Sequence, residues 1–319
     1  MLCFFDILKY MKSKFLILGA LGAVALTGCK YNFEVKSDFT FKDDNVVIKD
    51  TLQQVENKTA HIALLYGQSN ADGVSLTDYL KANDLAKYEE YAAGYDNVLI
   101  NFYNDNGQNS SNYEFMISKL GMGCTTYTFG PELGIAEKMS KAYPGEISFI
   151  IKWTVGGTFL KDQWLDGKKN RGDLYNRSMD FTIKCLNYLK SKGYSLSFDG
   201  ICWMQGESDA CKNLNWESYY KDTVAYVAYL RHDLQSFAND IKFIDAAINN
   251  EPGVWPFHKN VNKAKRKFAE LSESNIYIDT TALGLTSKNE PTEKPDRAHY
   301  DSTSMVKLGQ AFGDALIGE

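Results

Sequence analysis

The chain has 319 residues, 44% of them hydrophobic, enough for a sizeable core in one large α/β domain or two small ones. Its formal net charge of -5 comes from interleaved acids and bases, with no basic stripe to neutralise a phosphate backbone, which argues against nucleic acid as a partner. Aromatic content of 13% suits a large core, with sugar stacking as a secondary use of a few rings.

From Met11 the chain reads as a targeting segment: Lys12 and Lys14, an apolar run from Phe15 to Ala25, then Leu26-Thr27-Gly28-Cys29. The run is too short to span a bilayer comfortably. Leu-Thr-Gly-Cys resembles the bacterial lipoprotein signal, which implies cleavage before Cys29 and a membrane anchor of several acyl chains on that residue. Met11 is then the expected start, with Met1 to Tyr10 an upstream extension. Lys30 offers no acidic signal for retention at the inner membrane, so the resemblance implies an exported lipoprotein at the outer membrane or cell surface, its domain periplasmic or extracellular. Residues 1–29 are thus the signal segment, 30–58 a polar tether with room for one short strand, and 59–319 the domain.

The domain opens with the apolar run His61 to Tyr66, stopped by Gly67-Gln-Ser-Asn-Ala-Asp-Gly73. Similar runs follow at Val98 to Tyr103, Ile147 to Trp153, Gly200 to Met204, Ile241 to Ala247 and Ile276 to Asp279; such runs are expected of strands covered on both faces. Asn104 to Tyr113 reads as a surface loop. Helical patterns fall between the runs. Pro131 begins one in which Leu133, Ala136 and Met139 share a face, Leu174 to Ser191 and Trp216 to Phe237 are longer, and Ser302 to Ile317 closes the chain. The alternation predicts a parallel sheet between helical layers, with ligands bound beyond the carboxyl ends of the strands.

Those strand ends carry the candidate chemistry. Ser69 follows a tight glycine turn and can present both its hydroxyl and its amide above the sheet edge. Gly156-Gly157-Thr158 follows the third run and Gln205-Gly-Glu207-Ser-Asp209 the fourth; glycine amides and the Gln205 carboxamide are candidate donors to an oxyanion. A serine hydroxyl needs a base titrating near neutrality, and the chain has four histidines. His61 opens the first strand at the far end, and His232 sits on an amphipathic helix. His258, in the loop after the fifth strand, is the rival to His299, which follows Asp296 by three residues before the last helix. That spacing lets a carboxylate hold one imidazole nitrogen while the other faces the serine. Cys124, Cys185, Cys202 and Cys211 allow three disulfide pairings without choosing among them, and no Cys/His cluster suggests zinc, so no metal is expected.

Gly67-Gln-Ser-Asn, Gly156-Gly-Thr, Trp203-Met-Gln-Gly-Glu-Ser-Asp209 and Asp296-x-x-His299, in that order, resemble the blocks of the SGNH hydrolase superfamily. The chain is most similar to its sialate O-acetylesterase and acetylxylan esterase branch, which also shares a segment like Phe129-Gly-Pro-Glu-Leu-Gly134 and carries Gln where the superfamily name has Asn. The resemblance spans about His61 to Gln310. It implies a flavodoxin-like α/β/α sandwich without a metal or organic cofactor, Ser69 as nucleophile, His299 as base and Asp296 as its partner. An oxyanion hole would come from the Ser69 amide, a glycine amide of Gly156 or Gly157, and Gln205, with Gln68, Asn70 and Glu207 in support. The implied activity is removal of acetyl groups from carbohydrate. Two further readings stay open: a glycan-binding lipoprotein without turnover, and an esterase of lipid or thioester substrates. Trp153, Trp164, Trp203 and Trp255 are candidates for stacking on a sugar ring, with core packing the default for Trp203.

Overall fold

The computed structural model describes residues 31, 33–41, 46–104 and 109–319. The signal segment and Cys29 lie outside the described residues, and no described residue before Lys58 is in a helix or strand.

In chain order the strands are β1 (Lys58–Gly67), β2 (Ser75–Leu76), β3 (Tyr95–Asn104), β4 (Met116–Ser118), β5 (Thr128–Phe129), β6 (Ile147–Thr154), β7 (Tyr194–Met204), β8 (Phe243–Ala246) and β9 (Asn275–Ile278). Seven of them form one sheet in the order β4-β3-β6-β1-β7-β8-β9, and β2 pairs with β5 separately. Every pairing in the large sheet is parallel except β3 with β4, so the expected parallel sheet gains an antiparallel edge. The chain changes direction across the sheet at β1, which lies between β6 and β7. Crevices at such a switch point are where sheets of this kind hold ligands.

All six apolar runs become strands of this sheet. Ala60 to Gly67 of β1 are all buried, both faces alike, because helices cover both sides. The helix Glu132–Ala142 packs against Ser302–Ile317, and Trp216–Asp233 packs against His258–Ala269. The last helix buries Met305, Leu308, Phe312 and Leu316, the spacing of an apolar stripe facing a core. Asp173–Ser191 and Ser302–Ile317 match their predicted spans within a residue, whereas Trp216–Asp233 stops short of Phe237.

Three helices of seven residues or more went unforeseen: Thr77–Asn83, Leu85–Ala93 and His258–Ala269. The last buries only Val261, Asn262, Ala264, Lys265 and Phe268, and two of these five are polar. Lys265 is buried because its ammonium donates to Asp245 Oδ1 at 2.6 Å and to the Ala246 carbonyl at 2.8 Å. Among the described residues no helix is long and apolar enough to cross a membrane, and Cys124, Cys185, Cys202 and Cys211 are free thiols.

Candidate active site

Strand β1 ends at Gly67 with φ +144°, where an added Cβ would lie 2.0 Å from the Met204 carbonyl oxygen of β7. Only glycine lets the two strand ends approach so closely. The chain then turns at once into the short helix Ser69–Asp72, leaving Ser69 partly exposed between the buried Gln68 and Asn70. As the first residue of that turn, Ser69 has an amide with no acceptor inside the helix.

Asn70 joins three distant segments. Its Nδ2 donates to Glu207 Oε1 at 2.8 Å and to the Ala298 carbonyl at 3.3 Å, and its Oδ1 accepts from the Tyr300 amide at 3.1 Å. Ala298 and Tyr300 flank His299, so the residue after Ser69 is fastened to both neighbours of the imidazole across 230 positions of sequence. Ser75 Oγ adds a bond to the Tyr300 carbonyl at 2.6 Å. The serine turn and the histidine turn therefore share one rim.

His299 Nδ1–H donates to Asp296 Oδ2 at 2.7 Å, and the side chains are 25% and 34% exposed. Asp296 Oδ1 accepts from the Ala298 and His299 amides at 3.0 and 3.3 Å. Burial pushes the Asp296 carboxyl up, but the His299 hydrogen bond, the nearby imidazole charge and the two amides prevail and hold it below its usual range. With Nδ1 committed, Nε2 is the nitrogen left to exchange a proton.

On the other side of β1, Gly67 accepts from the Val155 amide at 3.1 Å, which sets Gly156 and Gly157 beside the serine turn. Gly157 has φ +72° and nothing within 4 Å of where a Cβ would stand, so its backbone faces open space. Among the described residues neither glycine amide has a backbone acceptor. Both remain available, and the geometry does not choose between them.

Gln205, the candidate side-chain donor to the oxyanion, turns inward. Its side chain is wholly buried, with Nε2 donating to Asp209 Oδ2 at 2.6 Å and to the Thr158 carbonyl at 2.8 Å, and Oε1 accepting from Tyr219 at 2.8 Å. A buried amide satisfies its hydrogens on the nearest acceptors, and here these point inward. Gln68 Oε1, 3.3 Å from the same nitrogen, completes a brace between the first and third blocks. Glu207 and Asp209 belong to that brace. Burial pushes Asp209 up to about 6 against the hydrogen bonds from Gln205 and the Leu160 amide.

The other histidines are committed elsewhere. His258 Nδ1 bonds the Trp255 carbonyl at 2.8 Å and begins a helix; His232 Nδ1 bonds Asp233 at 2.9 Å; His61 sits between Glu146 and Asp199 at the far end of β1. Trp153, Trp164 and Trp203 are at most 2% exposed and pack edge-to-face around Trp164, so none of the three meets a sugar. Trp255 is half-buried, and Tyr127, which lines a cavity with His299, is 60% exposed.

A charged layer beneath the serine turn escaped the sequence reading. Lys152, fully buried in β6, donates to the Asp72 and Met122 carbonyls at 2.7 and 2.8 Å and to Glu132 Oε2 at 2.9 Å. Glu132 Oε1 accepts from the Gly130 amide at 2.8 Å, which gives the Phe129-to-Gly134 segment a physical task. Asp72 Oδ1 accepts from Thr154 at 3.1 Å, and burial pushes its carboxyl up to about 6 against the attraction of Lys152. The available signal was a lysine inside an otherwise apolar strand, which must find a buried partner.

The sequence matches the family model described as carbohydrate esterase, sialic acid-specific acetylesterase, over residues 59–318. No curated protein matches it. Among solved structures, a protein from Arabidopsis thaliana (AT4G34215) is 21% identical, with 81% of this chain and 98% of that one covered and a TM-score of 0.58. NanS is 16% identical, with 83% and 98% covered and a TM-score of 0.54. These likenesses concern the fold alone.

Proposed function

Since the chain belongs to the sialic acid-specific acetylesterase family of carbohydrate esterases, and is therefore a carboxylic ester hydrolase, we propose that it removes acetyl groups from carbohydrate through an acyl-enzyme on Ser69. Ser69 Oγ attacks the ester carbonyl while His299 Nε2 takes its proton. The Ser69 amide and one amide of Gly156 or Gly157 stabilise the oxyanion, each donor contributing roughly 2.7 to 4 kcal/mol. His299 returns the proton to the departing sugar oxygen, and the bond between Oγ and the acyl carbon persists until water, deprotonated by the same nitrogen, attacks it; the proton then passes from His299 to Ser69 Oγ as acetate leaves. Asp296 keeps the tautomer and balances the imidazolium charge.

One observation carries this reading: Asn70, adjacent to Ser69, is hydrogen-bonded to both neighbours of His299. The bond from His299 to Asp296 supports it. The Leu-Thr-Gly-Cys29 pattern supports a lipid anchor and an exported location, which would bring the enzyme to surface-bound glycans; labelled fatty acid should enter the wild-type chain and not Cys29→Ala.

Acid-quenched incubation with an aryl acetate, followed by peptide mass analysis, tests the mechanism. An added acetyl on the Ser69 peptide is expected, together with loss of adduct and turnover in Ser69→Ala. Undiminished turnover in that variant would remove Ser69 from the chemistry.

A further inference from the structure

A cavity of about 240 Å³ opens beside the histidine, lined by Val74, Leu76, Thr125, Tyr127, Glu290, Pro291, Asp296 and His299 among others. From this cavity and its lining we infer that it is the subsite for the departing alcohol, shaped for one uncharged sugar residue held against Tyr127; the inference rests on the esterase reading above.

The acid that protonates the leaving oxygen must lie within about 2.6 to 3.2 Å of it or one water away, so the alcohol departs on the His299 side. His299 and Asp296 themselves line this cavity. Its volume falls below the roughly 300 Å³ where pockets for drug-sized ligands begin, a size for one ring rather than a long acyl chain. Val74, Leu76, Pro291 and the exposed ring of Tyr127 offer the apolar surface that the C–H face of a pyranose covers, and Thr125 offers a hydroxyl. Such a surface with few polar groups fixes orientation without requiring charge.

Charge decides the sugar class. The lining holds two carboxylates, Asp296 and Glu290, and no lysine or arginine. Glu290 accepts from the Ser302 amide and hydroxyl and from Asn83, bonds that favour the ionised form while burial pushes the carboxyl up. The guanidinium of the histidine turn, Arg297, is tied to Glu251 Oε1 at 3.0 Å and the Pro252 carbonyl at 2.6 Å. A sugar bearing its own carboxylate would enter against two like charges with no guanidinium to receive it. The subsite therefore favours a neutral acetylated sugar over an acetylated sialic acid.

The test compares kcat/KM of the full chain on acetylated xylo-oligosaccharide, O-acetylated sialic acid and 4-nitrophenyl acetate. The neutral sugar should lead the sialic acid ester by about tenfold or more, and raising salt from about 0.01 to 0.3 M should raise only the sialate value, because screening shortens the reach of the carboxylates. Tyr127→Ala should lower kcat/KM on the oligosaccharide about tenfold more than on the aryl ester, and Tyr127→Phe should restore most of it. Equal or better turnover of the sialic acid ester, or equal losses on both substrates in Tyr127→Ala, overturns the assignment. If aryl-acetate turnover is still lost in Ser69→Ala, the esterase reading survives that result; if Ser69→Ala leaves it intact, the reading beneath fails instead.

Discussion

Two histidine–carboxylate clusters stand at opposite ends of β1. At the far end His61 Nε2 meets Glu146 at 3.0 Å and Nδ1 meets Asp199 at 3.4 Å, while its ring stacks on Tyr143 at 3.3 Å with the side chain 11% exposed. Asp199 is there because β7 carries one extra residue between Phe198 and Gly200 in its pairing with β1, a bulge that re-aims a side chain. At the near end, among the described residues, His299 has a single carboxylate partner and no stacked ring, and it has more than twice the exposure. Both imidazoles touch acids, so a carboxylate neighbour is no mark of catalysis. What differs is that His61 has both nitrogens committed and His299 keeps one for a proton in transit.

The sharpest way to break this contrast is to remove each imidazole in turn. His299→Ala should lower kcat/KM on an aryl acetate roughly ten-thousandfold or more without unfolding the chain. His61→Ala should keep most of the activity and lower the Tm instead; the reverse pattern, read by kinetics and thermal melts on the same samples, would exchange the two roles. Next in size is Asp296→Asn, which keeps the shape but loses the anion, and should cost roughly a hundredfold to ten-thousandfold in kcat with the Tm little changed. Because the Asp296 carboxyl sits below its usual range, the wild-type enzyme should not lose its orienting anion until pH falls beneath that range.

Asn70→Ala probes the link between the serine and histidine turns. It leaves Glu207 Oε1 and the Tyr300 amide without their partner, so stability should fall by about 1 to 3 kcal/mol in denaturant titration, with a loss in kcat as the His299 turn drifts. Smallest in its effect on activity is a change to the Gln205 brace. The Asp209 carboxyl, ordinarily near 3.8, is pushed up to about 6 in the folded protein, so its contribution is fully present below pH 3.8 and is lost as pH rises through 6. Asp209→Asn should therefore gain on wild type by up to about 3 kcal/mol between pH 4 and pH 7 in chemical denaturation, and a constant difference across that range would reject the account.

Six of the seven strands of the large sheet were legible because burial between helices favours a near-continuous apolar run, which survives interruptions such as Asn101, Lys152 and Asp245; β4 was not. Asp296 and His299 were legible because three residues of separation act locally, whatever the rest of the chain does. The helix His258–Ala269 was not: its inward face includes Asn262 and Lys265, whose partners, the Ile248 backbone and Asp245, come from elsewhere. Lys152 was visible as an oddity within β6, but nothing local names Glu132 and the Asp72 carbonyl as what it holds.

By itself the sequence determined the alternation of elements, the short-range histidine–carboxylate pair and the glycine turns at strand ends, all consequences of spacing along the chain. Tertiary structure alone decided that Asn70 would reach both sides of His299, that Gln205 would turn inward, and that Tyr127 would stand exposed beside the histidine. The direction in which a polar side chain spends its hydrogen bonds depends on which acceptors packing brings near it, and that is a property of neighbours in space.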